Sequence, residues 1–335
     1  MGGRIASYDI LRGIGIILML YAHTYFTKSS LWPYIMSFHM PLFFIVSGLF
    51  FKRSHYIAHF FQPFAPFVVI NLIEEFAKPV TLAFRLLQPY LFICVAQVLL
   101  TTAHHFYAFH QAAIQWQFLY DCSSPAWFLL ALLIGRILFS VIINMCPKWH
   151  LAVSLAISTF SLILTDRLEI PPVFSLTSGT GSLIFLSIGY FVKEHDLLSK
   201  MSAHKYYYAI VALLLWLCSS IWGQTDVHLN IYKLWIIDYL GACGGTYLFF
   251  VISQSIEENT HFCKLFLERF GYYSLVILSF HAIEFALPQW FQIVFFLKDP
   301  YTLIAIFACR LLIAELSIRL TLRNLLLKKL FHIDR

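Results

Sequence analysis

Arg12 and His23 are the first residues of this chain whose types and spacing point to chemistry. They interrupt DILRGIGIILMLYAHTYF, an otherwise apolar run that starts at Asp9. An unpaired charge at the centre of a bilayer costs about 2.5–3.5 kcal/mol on insertion scales, so an arginine placed there needs a reason. The two residues are eleven positions apart, close to three helical turns, which puts both on one face of a helix and roughly 16 Å apart along it. A neutral imidazole is suited to taking a proton from a hydroxyl near neutral pH. An arginine can hold an anionic group or a developing oxyanion. Together they suit acyl transfer from an anionic thioester to a hydroxyl.

Other ionisable residues fall in apolar sequence. Arg136, Asp238, Arg310 and Glu315 each read equally well as structural partners, for instance Arg310 with Glu284. His281 and Glu284 are three apart and share a helical face, where a carboxylate can orient an imidazole and raise its basicity. His39 precedes Pro41, one short loop from His23. A lone histidine on a helix is more often a hydrogen-bonded core residue than a catalyst; two facing histidines plus a coaxial arginine weigh against that reading. His104, His105 and His110 form HHxxxxH without matching Cys or carboxylates, so no metal is expected. There is no GxSxG, P-loop, GxGxxG or HxxxxD pattern.

The elements that must position these residues follow from composition. The chain has 335 residues, of which 60% are hydrophobic and only 12% charged, and its mean hydropathy is +0.76. Soluble domains carry about 25% charged residues. Long apolar segments without alternation read as helices rather than barrel strands. The expected fold is all-α, a polytopic transmembrane bundle of about ten helices in one domain. The spans fall near 8–27, 36–51, 86–103, 126–145, 150–165, 179–194, 206–222, 234–252, 271–288 and 301–320. Segment 54–85, with Pro63, Pro66, Pro79, Glu74, Glu75 and Lys78, reads as interfacial or re-entrant, and 321–335 as a basic tail. The stretches near 104–125 and 253–270 are too short to fold alone. The first apolar run has no A-x-A site after it and reads as a retained helix. The seven scattered cysteines, with no CxxC, read as packing residues.

Charge sets the expected orientation. With both termini cytoplasmic, one side collects most Lys and Arg, including Lys52, Arg53, Lys148, Lys200, Lys264 and the C-terminal tail. The other keeps Lys28, Arg167, Lys233 and Lys298. The net charge of +6 is then a membrane-topology signal for anionic lipid or an anionic cofactor, not a nucleic-acid signal.

These residues resemble a known family. DILRG with Arg12, followed by His23, is similar to the R-x10-H pattern of the acyltransferase-3 family of integral membrane O-acyltransferases. FHMPLFFIVSGLFFKR resembles that family's second helix, with Phe43, Phe44, Ser47 and Gly48 in matching places. PAWFLLALL around Trp127 is similar to a segment of the fucose O-acetylase-like branch, and FGYYSLVILSFHAIE, with Ser274 and His281, to a late helix reading S-x6-H. The similarity runs from residue 7 to about residue 320. It implies a plasma (inner) membrane enzyme that moves an acyl group, usually acetyl, from cytoplasmic acyl-CoA to a sugar hydroxyl of an extracytoplasmic glycan or glycolipid. Carried over by residue, it makes His23 and Arg12 catalytic, and has Ser47, Lys52 and Arg53 line the donor side. His39, Trp127, Arg136, His281 and Glu284 are the candidates for substrate contact. Two other readings compete: a membrane-bound O-acyltransferase of another family using His281, and a transporter or flippase of a lipid-linked glycan. The chain shows no paired halves or matching broken helices of the kind transporters carry.

Overall fold

The computed structural model describes residues 6–25, 29–53, 68–109, 124–168, 173–286 and 300–333, leaving aside the side chains of 68–84, 108–109 and 300. The described residues form an all-helical bundle. In chain order the helices are α1 Ala6–Tyr25, α2 Trp32–Met36, α3 His39–Leu49, α4 Val68–Phe109, α5 Trp127–Met145, α6 His150–Leu168, α7 Leu176–Gly181, α8 Leu183–Glu194, α9 Leu197–Ser202 and α10 Lys205–Trp222. A two-stranded hairpin follows, β1 Thr225–Asp226 against β2 Ile231–Tyr232, antiparallel with Thr225 opposite Tyr232. Then come α11 Ile236–Asn259, α12 His261–Tyr272, α13 Ser274–Glu284, α14 Pro300–Arg323 and α15 Leu325–Leu330.

Six stretches among the described residues are long and apolar enough to cross a membrane, against the ten expected: Trp32–Leu49, Arg85–Tyr107, Trp127–Met145, His150–Leu168, Lys205–Trp222 and Ile236–Asn259. Of the other expected spans, α1 carries Asp9, Arg12 and His23, α14 is 24 residues long, and α8 and α13 are 12 and 11 residues long. Helix α1 sits inside the bundle, packed against α3, α11, α12, α13 and α14. Helices α6 and α10 lie at the periphery and turn side chains such as Phe160 and Leu214 outward.

Residues 68–85, read together with 54–67 as interfacial or re-entrant, are helical and run on into the rest of α4, while 54–67 lie outside the described residues. Residues 253–270, read as an extramembrane stretch too short to fold alone, are helical: they extend α11 and form most of α12. His104 and His105 lie in the last turns of α4, and His110 lies outside the described residues.

Close helix crossings fix the bundle. A Cβ on Gly48 of α3 would strike the Leu186 carbonyl, and one on Gly189 of α8 would strike the Ile45 carbonyl, so the two glycines let these backbones touch. Gly13 of α1 and Gly271 of α12 form a second such pair, against the Leu267 and Asp9 carbonyls. Lipid tails are as apolar as leucine, so in a bilayer close packing of this kind replaces the hydrophobic drive between helices. The core between α1, α3, α5 and α8 is filled by Phe44, Phe139, Phe185 and Leu186, all fully buried.

Candidate active site

The site has two ends joined by one face of α1. At one end, the last turn of α1 brings His23 against α13. The His23 and His281 rings lie 5.2 Å apart, centre to centre, and both pack edge-on against Phe285, at 5.5 and 5.3 Å. His281 is held by a chain of buried polar contacts. Its Nδ1 lies 2.8 Å from Glu284 Oε1, and the other oxygen of Glu284 accepts from Arg310 Nε at 3.1 Å. Arg310 also donates through a terminal nitrogen to Thr24 Oγ1 at 2.8 Å, and Thr24 donates to the Leu20 carbonyl at 2.8 Å.

Arg310 therefore ties the turn that carries His23 to the turn that carries His281. A carboxylate only accepts, so Nδ1 of His281 must be the donor and Nε2 carries the lone pair. That Nε2 is buried with no hydrogen-bond partner among the described residues. Gln97 of α4 supports the same turn by donating to the Ala282 carbonyl at 2.7 Å.

Two more histidines complete this end. His39, His228, His281 and Arg310 all stand near His23. His39 opens α3, and its Nδ1 lies 2.9 Å from the Ile35 carbonyl, so it donates there. His228 comes from the β1–β2 hairpin, and its ring lies 5.0 Å from that of Trp127 at the start of α5. Asn230 pins the hairpin by donating to Ser161 and Thr165, both at 3.1 Å, while the Ser178 hydroxyl donates to the His228 carbonyl at 2.6 Å.

The other end is a chamber of about 360 Å³. Its polar lining includes Asp9, Arg12, Ser47, Arg136 and Ser274; the remainder is mainly apolar side chains from α1, α3, α5 and α13. Arg12 is paired with Asp9, one turn back on α1, which is itself fully buried. Arg136 donates to Ser47 Oγ at 2.8 Å and stands 5.5 Å from the centre of the Phe51 ring. Along α1 the lining residues Tyr8, Arg12, Ile16 and Met19 repeat every three or four positions, the period of one helical face. His23 is the next step on that stripe. On α3 the lining ends at Met40, next to His39, and on α5 at Phe128, next to Trp127. The chamber thus stops one turn or less from the histidine cluster on three helices.

Eight of the ten candidate residues divide between these ends. His23, His39, Trp127, His281 and Glu284 gather at the histidine end; Arg12, Ser47 and Arg136 line the chamber. The structure thus places Arg136, grouped in the sequence with substrate contact, beside Ser47. Lys52 and Arg53 follow α3 and do not line the chamber: Lys52 is exposed, and Arg53 is half-buried near Tyr190. Asp238 and Glu315 belong to neither end. Asp238 accepts from the Ser219 hydroxyl and the Leu234 amide, each at 2.7 Å, and Glu315 pairs with Arg269 and Arg319.

Sequence reasoning missed Asp9, Thr24, Gln97 and His228. Asp9 was findable, because Asp and Arg three apart on a helix face each other. The other three come into place only through tertiary packing.

The comparisons with known proteins follow this geometry. ATP synthase subunit a of Desulforamulus reducens is 77% identical over 31 residues, which is 9% of this chain and 12% of that protein. The chain thus spans about an eighth of that relative's length, and a segment of this size shows neither family nor fold. No solved structure matches the chain. Residues 5–316, nearly the whole chain, match the acyltransferase domain of the acyltransferase-3 family. The chain belongs to that family, and is a membrane acyltransferase.

Proposed function

We propose that the protein transfers an acyl group, most simply acetyl, from cytoplasmic acyl-CoA to a hydroxyl of a sugar on an extracytoplasmic glycan or glycolipid. It would do so in the plasma (inner) membrane with both termini in the cytoplasm. The observation that carries the reading is the single stripe of α1, which runs from the arginine-lined chamber to the histidine cluster. A thioester donor occupies the chamber, and its acyl carbon reaches the end marked by Met19, Met40 and Phe128. His23 takes the proton from the acceptor hydroxyl. The oxygen attacks the thioester carbonyl, a C–O bond forms and the C–S bond breaks. The CoA thiolate leaves and recovers a proton from the His23 imidazolium. His281, fixed by Glu284, stands beside His23 with a buried acceptor nitrogen that has no partner among the described residues, and orients the incoming hydroxyl. The Trp127 and His228 rings give that end an aromatic wall against which a sugar ring can pack.

The membrane-bound acyltransferase alternative also puts a histidine to work at this end, so it is tested by comparing His23 with His281. The experiment is labelled acetyl transfer from acetyl-CoA in membranes, followed by mass spectrometry of the surface glycans with and without the protein. The proposal expects one acetyl group added per modified sugar in a protein-dependent manner. Unchanged glycans together with no consumption of acetyl-CoA contradict it.

A further inference from the structure

Arg12 and Arg136 both line the chamber, but their charges are answered differently. Arg12 has Asp9 as its counter-ion. Arg136 has no carboxylate among its contacts in the described residues. It has one hydroxyl, Ser47 at 2.8 Å, and one aromatic face, Phe51 at 5.5 Å, while its Nε is buried without a partner. A guanidinium in an apolar bundle that lines a cavity, lacks a counter-ion and keeps an unused donor is incomplete without an anion. The fork of a guanidinium matches the oxygens of a phosphate.

Depth identifies which anion. Arg136 lies nine residues along α5 from Trp127, and Ser47 lies eight residues along α3 from His39. At 1.5 Å per residue the two helices separately put this pair roughly 12–14 Å from the histidine end. A pantetheine arm has about thirteen bonds between its sulfur and its phosphate. At the reach of an extended backbone that is about 15 Å. With the thioester at the histidine end of the chamber, the phosphate falls at Arg136.

We propose that Arg136, presented by Ser47, is the receptor for the phosphate that caps the pantetheine arm of the acyl donor. This rests on the donor reading above and sharpens it: Arg12, already neutralised by Asp9, is not the main anion contact. The ligand chemistry is a phosphate ester on a long, weakly polar tail. A phospholipid shares that chemistry, so the test separates the two.

Full-length protein in phosphatidylcholine nanodiscs is titrated with acetyl-CoA, with S-acetyl-4′-phosphopantetheine and with S-acetyl-pantetheine, which lacks the phosphate. The same titrations are made on Arg136→Met, Arg136→Lys and Ser47→Ala, with thermal melting as a check of folding. Loss of a hydrogen bond to a charged group corresponds to about tenfold to a hundredfold in affinity. Arg136→Met should weaken S-acetyl-4′-phosphopantetheine by that factor and leave S-acetyl-pantetheine unchanged. Arg136→Lys should fall between, and Ser47→Ala should lose less than Arg136→Met. Equal binding of the phosphorylated compound to wild type and Arg136→Met overturns the proposal, as does equal loss of both compounds. So does Arg136-dependent retention of phosphatidylglycerol by native mass spectrometry while donor binding ignores residue 136. If the wild type binds none of the thioesters, the donor reading itself fails, which is a distinct result. Should Arg136→Met not fold, Arg136→Lys and Ser47→Ala carry the same phosphate-dependent comparison.

Discussion

Glu284 Oε1 lies 2.8 Å from His281 Nδ1, one helical turn away on α13. The contact fixes the tautomer of His281 and leaves its other nitrogen a buried acceptor without a partner among the described residues, on a ring 5.2 Å from that of His23. Glu284→Gln keeps the shape but removes the charge, and the amide can present either a donor or an acceptor to the ring. On the proposed reading, kcat for acetyl transfer should fall, by about tenfold to a hundredfold for a supporting group of this kind. The KM for acetyl-CoA should stay near wild type, because the donor chamber is untouched. Steady-state kinetics on both substrates check the split.

Arg310 and Glu284 are a buried ion pair, 3% and 8% exposed, so removing one partner strands the other. Arg310→Met should destabilise the protein by about 3–5 kcal/mol, while the double change Arg310→Met, Glu284→Leu should recover most of that loss. Thermal unfolding in detergent reads both. Activity should not recover in the double variant, because His281 and Thr24 have lost the groups that align them.

The α3–α8 crossing makes a separate prediction about the fold. Gly48→Ala or Gly189→Ala forces a methyl group into the facing carbonyl and should cost about 1–3 kcal/mol in stability. The melting temperature of each variant should drop while Ser199→Ala, at an exposed position of α9, leaves it unchanged.

Orientation is tested by labelling. Lys200 and Lys233 are both exposed and lie on either side of α10 in the chain. In a cysteine-free background, Lys233→Cys should react with a membrane-impermeant maleimide in intact cells, and Lys200→Cys should react only after lysis. The reverse pattern would place the arginine-lined chamber on the outside and remove the cytoplasmic donor from the account.

Much of this arrangement is legible in the sequence alone. The helical period alone aligned Arg12 with His23, and the three-residue spacing alone paired His281 with Glu284. Both are properties of one helix. The groups that were not legible depend on contacts between distant segments. Arg310 reaches Thr24 across 286 positions, and the hairpin brings His228 to Trp127 across about a hundred. Charge in apolar sequence marked Arg136 as unusual, but only the packing of α3 on α5 shows that its neighbour is Ser47 and that it has no carboxylate contact among the described residues. Helix α1 carries Asp9, Arg12 and His23 yet packs against α3, α11, α12, α13 and α14, a placement that length and hydropathy alone do not describe.

The central claim is that His23 is the base that activates the acceptor hydroxyl. It is tested most directly by labelled acetyl transfer in membranes containing either wild-type protein or His23→Ala at matched expression, with acetyl-CoA binding measured on the same samples. The account predicts a fall in transfer of about a hundredfold or more, in line with loss of a general base, with acetyl-CoA binding within about twofold of wild type, since the chamber ends one turn before His23. Wild-type transfer by His23→Ala would contradict it and would leave His281 as the candidate base.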